Sequence, residues 1–229
     1  MTHGRSAALD SDARAHWSLV IPLKPLAVAK SRLAGAVAAA VRPEVVLAFA
    51  QDTVSAALDC PAVRDVVVVT DDQLAGAELA ALGARILADP PGAGLNAALA
   101  HGAHSVRLRR PDAAVATLNA DLPALRPGEL ARVLDRAARF PRSFLPDAAD
   151  IGTTLLTAAP GAGLRPAFGG ASRRRHTASG AVELRLREVD SVRRDVDTPE
   201  DLAAVLRLGV GPHTAAGLAR VRLRVDAEG

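Results

Sequence analysis

Two acidic segments far apart in the chain carry carboxylates that could bind a divalent metal. Residues 119–123 read Asn-Ala-Asp-Leu-Pro and follow an apolar run, and residues 195–201 read Asp-Val-Asp-Thr-Pro-Glu-Asp and open a predicted helix. Mg²⁺ prefers oxygen ligands and is commonly bound by one or two carboxylates together with substrate phosphates. Asp121 and Asp195 are therefore candidate metal ligands, and an ordinary structural turn is the alternative for the first segment.

The second acidic segment combines metal-ligand and helix-capping residues. Asp195 and Asp197 lie on a stretch that we expect to be extended, with only one of them facing the site. Asp197 could be either a metal ligand or the N-cap of the helix that follows, because Thr198 could provide that cap instead. The remaining acidic residues are predicted to stabilise the first helical turn, near the positive end of the helix dipole: Glu200 and Asp201.

A basic segment directly follows the first predicted strand, at residues 23–33. Lys24 and Lys30 could neutralise phosphate oxygens as point charges, and Arg32 could make a bidentate contact. The segment lacks the glycine-rich fingerprints of phosphate loops and dinucleotide folds, so side chains would have to hold the phosphates. A solvated loop is the alternative interpretation.

Glycines and hydroxyl residues form a third group of candidates. Residues 167–176 place Gly169 and Ser172 at the start of a short predicted helix, where backbone N–H groups could bind an acidic small substrate. Thr153, in a Gly-Thr-Thr segment, is a similar candidate, and ordinary turn chemistry is the alternative for both. His176 is interpreted as a structural or solvated histidine rather than a catalyst, and residues 173–175 as a solvated run of arginines.

The composition indicates a globular α/β protein without nucleic-acid or membrane partners. The chain has 229 residues, a formal charge of +3 and only 2% aromatic residues. That charge is too balanced for a general nucleic-acid binder, and stacking residues are scarce. No apolar run approaches the roughly 18 residues of a membrane span, so we expect a cytoplasmic protein. Cys60 is the only cysteine, which excludes an intrachain disulfide and a cysteine-cluster zinc site.

Strand and helix signals alternate along the chain. Apolar runs predict strands near residues 18–23, 65–70, 85–87, 113–118, 143–146 and 153–157. Helical spacing and caps predict helices near residues 43–58, 72–82, from 95, 127–139, 172–178, 199–207 and 213–220. This order predicts parallel βαβ units with ligands at the carboxyl ends of the strands, where Asp121 would lie. We expect one domain at residues 16–221, a disordered tail at 1–15 and a C-terminal tail at 222–229.

Taken together and in order, these motifs resemble the 2-phospho-L-lactate/phosphoenolpyruvate guanylyltransferases of coenzyme F-420 biosynthesis. The resemblance spans about residues 17–215. It is carried by Ile-Pro-Leu-Lys at 21–24, Ala-Lys-Ser-Arg-Leu at 29–33, Asp-Leu-Pro-Ala-Leu at 121–125, Gly-Thr-Thr at 152–154, Phe-Gly at 168–169 with Ser172 and His176, Gly-Ala at 180–181 and Asp-Val-Asp-Thr-Pro at 195–199.

The resemblance implies a fold, substrates and residue roles. The fold would be a Rossmann-like nucleotidyltransferase fold of the GT-A/MobA type, a mostly parallel mixed sheet in a three-layer αβα arrangement. The substrates would be GTP and a small phosphorylated acid, with Mg²⁺ as cofactor. The implied metal ligands are Asp121 and Asp195, with Asp197 as a further ligand, and the first two residues would also be catalytic. The residues that would bind the acceptor are Thr153, Gly169 and Ser172. The residues that would bind the nucleotide are Lys24, Lys30, Arg32 and Asn96, of which Lys24 would also be catalytic.

Three alternatives stay open at this point. The acceptor could be phosphoenolpyruvate or 2-phospho-L-lactate, which would use the same carboxylate and phosphate contacts. A nucleotidyltransferase of another specificity, acting on the molybdenum cofactor or a sugar phosphate, is a rival, as is a non-catalytic nucleotide-binding module. The oligomeric state is also open, and a homodimer is one of the states that the sequence allows.

Overall fold

A mixed seven-stranded sheet forms the centre of the protein in the computed structural model, which describes residues 16–28, 30, 33, 40–89 and 94–228. The strands follow the order β3-β2-β1-β4-β6-β5-β7 across the sheet. Their bounds are β1 Trp17–Pro22, β2 Val63–Val69, β3 Arg85–Leu87, β4 Ala114–Leu118, β5 Arg142–Pro146, β6 Thr153–Ala158 and β7 Val182–Glu183.

The strand directions bring the carboxyl ends of β1, β4 and β5 and the start of β6 to the same edge of the sheet. Strands β3, β2, β1 and β4 run parallel to one another, and β7 is parallel to β5. Strand β6 runs antiparallel to both of its neighbours, β4 and β5. The start of β6 therefore lies beside the carboxyl ends of β4 and β5. The mostly parallel mixed sheet predicted from the sequence is confirmed.

Helices cover both faces of the sheet. They are α1 Arg42–Leu58, α2 Gln73–Ala81, α3 Leu95–Arg109, α4 Pro127–Ala137, α5 Ser172–Ala178, α6 Asp190–Arg193, α7 Pro199–Leu208 and α8 Pro212–Glu228, with a short 3-10 helix at Leu26–Val28. Apolar residues of α1, α2 and α4 pack in one core cluster, and those of α3 pack in another. Along β1, Leu19 and Ile21 belong to the first cluster and Val20 to the second, because successive side chains of a strand point to opposite faces.

Helix α3 approaches the sheet closely at Gly102. A Cβ atom at this position would lie 2.4 Å from Cγ1 of Val20 and 3.0 Å from Cγ2 of Val69. The absence of a side chain therefore lets α3 pack directly on β1 and β2. This close packing fixes the start of α3 relative to the strand ends that form the site.

The structure differs from the sequence expectation at the C-terminal end. Helix α8 continues to Glu228, so residues 222–228, expected to form a tail, are helical. The start of α8 is fixed by Asp52 of α1, whose carboxylate accepts the backbone N–H groups of His213 and Thr214 at 3.0 and 2.8 Å. The segment after Gly217 contains no glycine or proline before residue 229, so nothing in it ends the helix.

Two short elements are absent from the sequence expectation. Strand β7 has two residues and helix α6 has four, both too short to produce a hydrophobic period. The expected tail at residues 1–15 lies outside the described residues. Across the part of the chain that the structure describes, none of the helices combines the length and the apolar character that crossing a membrane requires.

Candidate active site

A cleft of about 490 Å³ lies at the edge of the sheet where β1 and β4 end and β6 begins. It is lined by residues from all of the motifs that the sequence singled out: Lys24, Lys30, Asp121, Thr153, Gly169, Ser172, Asp195 and Asp197. Arg32 lies outside the described residues. The sequence therefore predicted the charged residues of the cleft lining, apart from Asp147, from strand ends and loop motifs.

Reversal of β6 explains how the Gly-Thr-Thr segment reaches this edge. The backbone N–H of Asn119, just past the end of β4, donates to the Thr154 carbonyl at 3.0 Å. The first residue of β6, Thr153, is thereby held beside the last residues of β4. In a purely parallel sheet, the start of a strand would lie at the opposite edge.

The two acidic segments are joined by a backbone hydrogen bond. Val196 N–H donates to the Asp121 carbonyl at 3.1 Å, and the Val196 side chain is buried in the core. Asp195 and Asp197 both line the cleft. The expectation that only one of them faces the site is wrong, because residues two apart on an extended stretch share a face and the residue between them points away.

Lys30 lies among these carboxylates. Its ammonium contacts Asp121 and lies 2.5 Å from Oδ1 of Asp197. Burial opposes the charge on Lys30, but the two carboxylates outweigh burial and raise its pKa above the usual value. The sequence predicted a phosphate contact for Lys30, whereas in this structure its charge is paired with the acidic residues.

Asp195 is the most perturbed carboxyl group of the cleft. Its Oδ2 accepts a hydrogen bond from the Asn119 amide at 3.1 Å. Burial first, and then the neighbouring charges of Asp121 and Asp197, raise the pKa of Asp195 to about 8. Asp121 and Asp197 outnumber the single ammonium of Lys30, and a further cation bound at these oxygens would also favour loss of the proton from Asp195.

Asp121 has the atom best suited to a metal. Its Oδ1 is buried and has no hydrogen-bond partner within the described structure. In that same part of the chain, no group of three or more His, Cys, Asp or Glu side chains is arranged to enclose an ion by itself. The donor set thus fits a hard divalent cation that takes one or two carboxylates and completes its shell with phosphate and water oxygens.

Lys24 lines the same cleft as the acidic residues. It is exposed and follows the end of β1 by two residues. The structure gives it no ion pair or hydrogen bond to any described residue. Its ammonium is therefore available to an anionic ligand.

Asp147, at the end of β5, is a cleft residue that the sequence analysis missed. Its carboxylate accepts the backbone N–H groups of Ile151 at 3.0 Å and Gly152 at 2.8 Å, which closes the turn into β6. A Cβ atom on Gly152 would lie 2.4 Å from Oδ2 of Asp147, so the turn requires glycine there. An aspartate followed by turn residues at a strand end was the signal that could have identified it.

Asn96 does not line the cleft. Its Nδ2 donates to the Phe168 carbonyl at 3.2 Å, and its Oδ1 accepts the Phe168 N–H at 2.7 Å. Both polar atoms of the amide are thus used on one residue of the loop that precedes α5. The nucleotide contact expected for Asn96 stays a prediction, and the structure shows this side chain holding the backbone of Phe168.

His176 is buried, as its structural interpretation requires. Its Nδ1 lies 2.9 Å from Oγ1 of Thr153, and its Nε2 accepts the Ala167 N–H at 3.0 Å. Burial first, and then the charges of Arg142 and Arg175, lower the pKa of His176 to about 4. The ring is therefore neutral near pH 7.

The arginine run beside His176 is only partly solvated. Arg173 makes a bidentate pair with Glu183 at 2.8 and 3.0 Å. Arg175 donates to the Ala167 carbonyl at 3.0 Å and to the Gly169 carbonyl. Arg175 thus holds the loop around Gly169 in place, whereas Arg173 ties α5 to Glu183 of β7.

The helix-start interpretation of Asp201 is confirmed. Thr198 caps α7 by accepting the Asp201 N–H, and the Asp201 carboxylate accepts the Thr198 N–H at 2.9 Å. This reciprocal capping box fixes the segment that carries Asp195 and Asp197.

Comparison with known proteins confirms the resemblance. A family model described as "Guanylyl transferase CofC like" matches residues 17–229. The phosphoenolpyruvate guanylyltransferase of Streptomyces coelicolor is 69% identical over 205 residues, covering 90% of this chain and 97% of that protein. The protein of the same name from Thermomonospora curvata is 58% identical over 210 residues, covering 92% of each chain.

Solved structures agree with the fold. A nucleotidyl transferase from Methanothermobacter superposes with a TM-score of 0.53 at 19% identity, covering 84% of this chain and 98% of that one. A manganese complex of Rv0371c from Mycobacterium tuberculosis superposes with a TM-score of 0.52 at 18% identity, covering 84% and 99%. The Rossmann-like nucleotidyltransferase fold is confirmed by these structures, and the family match adds the activity class. The chain belongs to the CofC-like guanylyl transferase family.

Proposed function

We propose that this chain transfers GMP from GTP to the phosphate of phosphoenolpyruvate, releasing pyrophosphate, in coenzyme F-420 biosynthesis. The observation that carries the proposal is the cleft itself, which places Asp121 and its unpartnered oxygen in one cavity with Thr153, Gly169 and Ser172. Relatives named phosphoenolpyruvate guanylyltransferase support this acceptor over 2-phospho-L-lactate.

A divalent ion, taken as Mg²⁺, would be held by Asp121 and Asp195, with Asp197 as a further ligand. The buried Oδ1 of Asp121, which has no partner among the described residues and lies in one cleft with Asp195 and Asp197, supports a cation here, and so does the manganese complex of a protein with the same fold. Bound at these carboxylates, the ion would screen the repulsion between two anionic substrates and polarise the α-phosphate.

The basic residues of the first loop would bind the triphosphate. Lys24 is exposed in the cleft and has no protein partner among the described residues, which suits it to a phosphate oxygen. Lys30 holds Asp121 and Asp197, so it would stabilise the acidic residues and reach the nucleotide from the same position. Arg32 is proposed as a third contact on the strength of the family resemblance.

The acceptor would occupy the other side of the cleft, against Thr153, Gly169 and Ser172. An oxygen of its phosphate forms the new bond to the α-phosphorus of GTP, and the bond between the α-phosphorus and the bridging oxygen breaks to release pyrophosphate. The acceptor phosphate is already ionised near pH 7, so the chain has no proton to remove. Its residues contribute by orienting two anions and by stabilising the charge that develops.

A pyrophosphate-release assay tests the proposal. The purified chain is incubated with GTP and Mg²⁺ and with phosphoenolpyruvate, 2-phospho-L-lactate or 3-phosphoglycerate, and ATP replaces GTP in a parallel series. We expect turnover with GTP and phosphoenolpyruvate and none with 3-phosphoglycerate. Faster turnover with 2-phospho-L-lactate would reassign the acceptor, and turnover with none of the acids would refute the proposal.

A further inference from the structure

His176 lies buried between strand β6 and the loop that carries Gly169, and it touches both. We propose that His176 is a positioning residue, which directs the hydroxyl hydrogen of Thr153 toward the anionic acceptor and holds the Gly169 loop around the same ligand. This inference rests on the proposed function, because that function assigns Thr153 to the acceptor.

Hydrogen-bond geometry determines which ring nitrogen carries the proton. Ala167 N–H donates to Nε2 at 3.0 Å, so Nε2 must present a lone pair. The single hydrogen of a neutral imidazole is then on Nδ1, which lies 2.9 Å from Oγ1 of Thr153. His176 therefore donates and Thr153 accepts.

The surroundings of His176 hold the ring in this state. The Phe168 ring meets it edge-on with centroids 5.0 Å apart, and the Phe144 ring lies at 5.6 Å. The cations that face it, Arg142 and Arg175, disfavour a second proton, and burial acts in the same direction. A proton on Nε2 would also point at the Ala167 N–H, which is itself a donor.

The hydroxyl hydrogen of Thr153 remains available for donation to a ligand. A threonine hydroxyl has one donor hydrogen, and the bond from His176 occupies an acceptor position on Oγ1. Among the described residues, no acceptor for that hydrogen lies within hydrogen-bonding distance. The side chain is 4% exposed and lines the cleft, so an oxygen of a bound anion is the acceptor that fits.

The same ring also helps to hold the loop that carries Gly169, together with Arg175 and Asn96. Ala167 is held at its N–H by His176 and at its carbonyl by Arg175, while both backbone groups of Phe168 are held by Asn96. Arg175 also takes the Gly169 carbonyl. Within the described structure the Gly169 N–H keeps no protein acceptor, so this loop presents a donor to the cleft while its carbonyls are occupied.

A set of variants separates positioning from simple folding support. Thr153→Val removes the hydroxyl, His176→Leu removes the donor, and His176→Asn retains an amide N–H near the position of Nδ1. We expect the KM for phosphoenolpyruvate to rise about 10- to 100-fold in Thr153→Val and His176→Leu, since a hydrogen bond to a charged group is lost. The KM for GTP should stay within about twofold, and His176→Asn should recover part of the loss.

Non-additivity provides the sharpest readout. Because His176 acts in part through the Thr153 hydroxyl, the double variant Thr153→Val/His176→Leu should raise the KM for phosphoenolpyruvate by clearly less than the product of the two single increases. The loss of the Ala167 contact accounts for any excess over Thr153→Val alone. Independent roles would instead multiply the two effects and overturn the inference. His104→Leu, on the exposed face of α3, is the matched control and should leave both KM values unchanged.

Two measurements keep the inference testable apart from turnover. Side-chain ¹⁵N shifts of His176 should report a hydrogen on Nδ1, and a hydrogen on Nε2 would overturn the assignment. Calorimetry with phosphoenolpyruvate alone should show weaker binding to folded Thr153→Val and His176→Leu than to the wild type. If the wild type binds the acid but releases no pyrophosphate with any acceptor, the proposed function fails, while the binding series still decides the role of His176. Equal binding of phosphoenolpyruvate by the wild type and both variants would overturn that role. An absence of binding to the wild type would overturn it as well.

Discussion

The ammonium of Lys30 contacts the carboxylate of Asp121 although 91 positions separate the two residues in the chain. The same ammonium lies 2.5 Å from Asp197. A cation of the protein therefore occupies the negative region to which we assign the metal. A bound metal and the Lys30 ammonium would therefore compete for the same carboxylates, so that replacing Lys30 should change how strongly the metal stabilises the protein.

Removing Lys30 should make the protein more dependent on the metal. In Lys30→Gln, repulsion among Asp121, Asp195 and Asp197 loses its internal counter-charge, so the metal-free Tm should fall. Added MgCl₂ should then raise the Tm more than it does in the wild type, because the ion relieves a larger repulsion. Thermal unfolding across a MgCl₂ series measures both effects.

Lys24→Gln provides the comparison, since Lys24 has no ion pair with any described residue. Its metal-free Tm should remain near that of the wild type. Identical Mg²⁺-induced increments in Lys30→Gln and the wild type would argue against a shared site.

Asp121→Asn should abolish most of the activity while the fold stays intact. Loss of one electrostatic element of this kind commonly costs about 10²–10³ in rate. Pyrophosphate release measures the rate, and circular dichroism reports the fold. The control is Asp112→Asn, at the other end of β4, where the residue is exposed and turnover should not change. Near-normal turnover of Asp121→Asn would remove the metal assignment.

Asn96→Ala should affect the acceptor rather than the nucleotide. The change removes the two hydrogen bonds that hold Phe168, next to Gly169, so the loop on the acceptor side loosens. We expect a higher KM for phosphoenolpyruvate, a nearly unchanged KM for GTP and a free energy of unfolding lower by about 1–3 kcal/mol. Steady-state kinetics with each substrate varied in turn, together with urea unfolding, measure these quantities.

The opposite kinetic pattern, with only the KM for GTP raised, would restore the nucleotide contact that the sequence predicted for Asn96. Asn96→Asp refines the test, because it keeps the acceptor for the Phe168 N–H and loses only the donor.

Acid should destabilise the protein through His176. The folded state lowers its pKa from 6.5 to about 4, so between these values the unfolded chain binds a proton that the native state does not. The contribution of the neutral ring is complete well above pH 6.5 and is lost as the pH falls toward 4, amounting to on the order of 3 kcal/mol.

The comparison variant is His176→Asn, which cannot titrate. The difference in free energy of unfolding between the wild type and this variant should be constant well above pH 6.5 and should shrink as the pH is lowered to 4. Because the other titrating groups are common to both proteins, a difference that is independent of pH would contradict the assignment.

Local signals explain why most of the fold was predictable. The apolar strands β1, β2 and β4 and the helices α1 and α7, each with a proline in its first turn, are specified by short stretches of sequence, and the order of these elements brings strand ends to one edge. Asp121 and Lys24 could be identified as candidates because each follows such a strand. Their position at the edge needed no knowledge of distant contacts.

Other features depend on partners remote in the chain. The role of Asn96 depends on the backbone of Phe168, 72 positions away, and the role of His176 on Thr153, 23 positions away. No local pattern predicts such pairs. Asp147 differs from these pairs, because its turn contacts with Ile151 and Gly152 are local, and only its place in the cleft depends on the reversed strand that begins after it.

Reversal of β6 also divides the sheet by task under the proposed function. The parallel strands β1 and β4 carry the lysines and Asp121, which serve the nucleotide, whereas Thr153 and the loop before α5 belong to the other half and serve the acid. The seam between β4 and β6 is thus a boundary between two recognition modules. Under the same proposal, substitutions beyond that seam would change which small phosphorylated acid is bound while the residues on the triphosphate side stay the same.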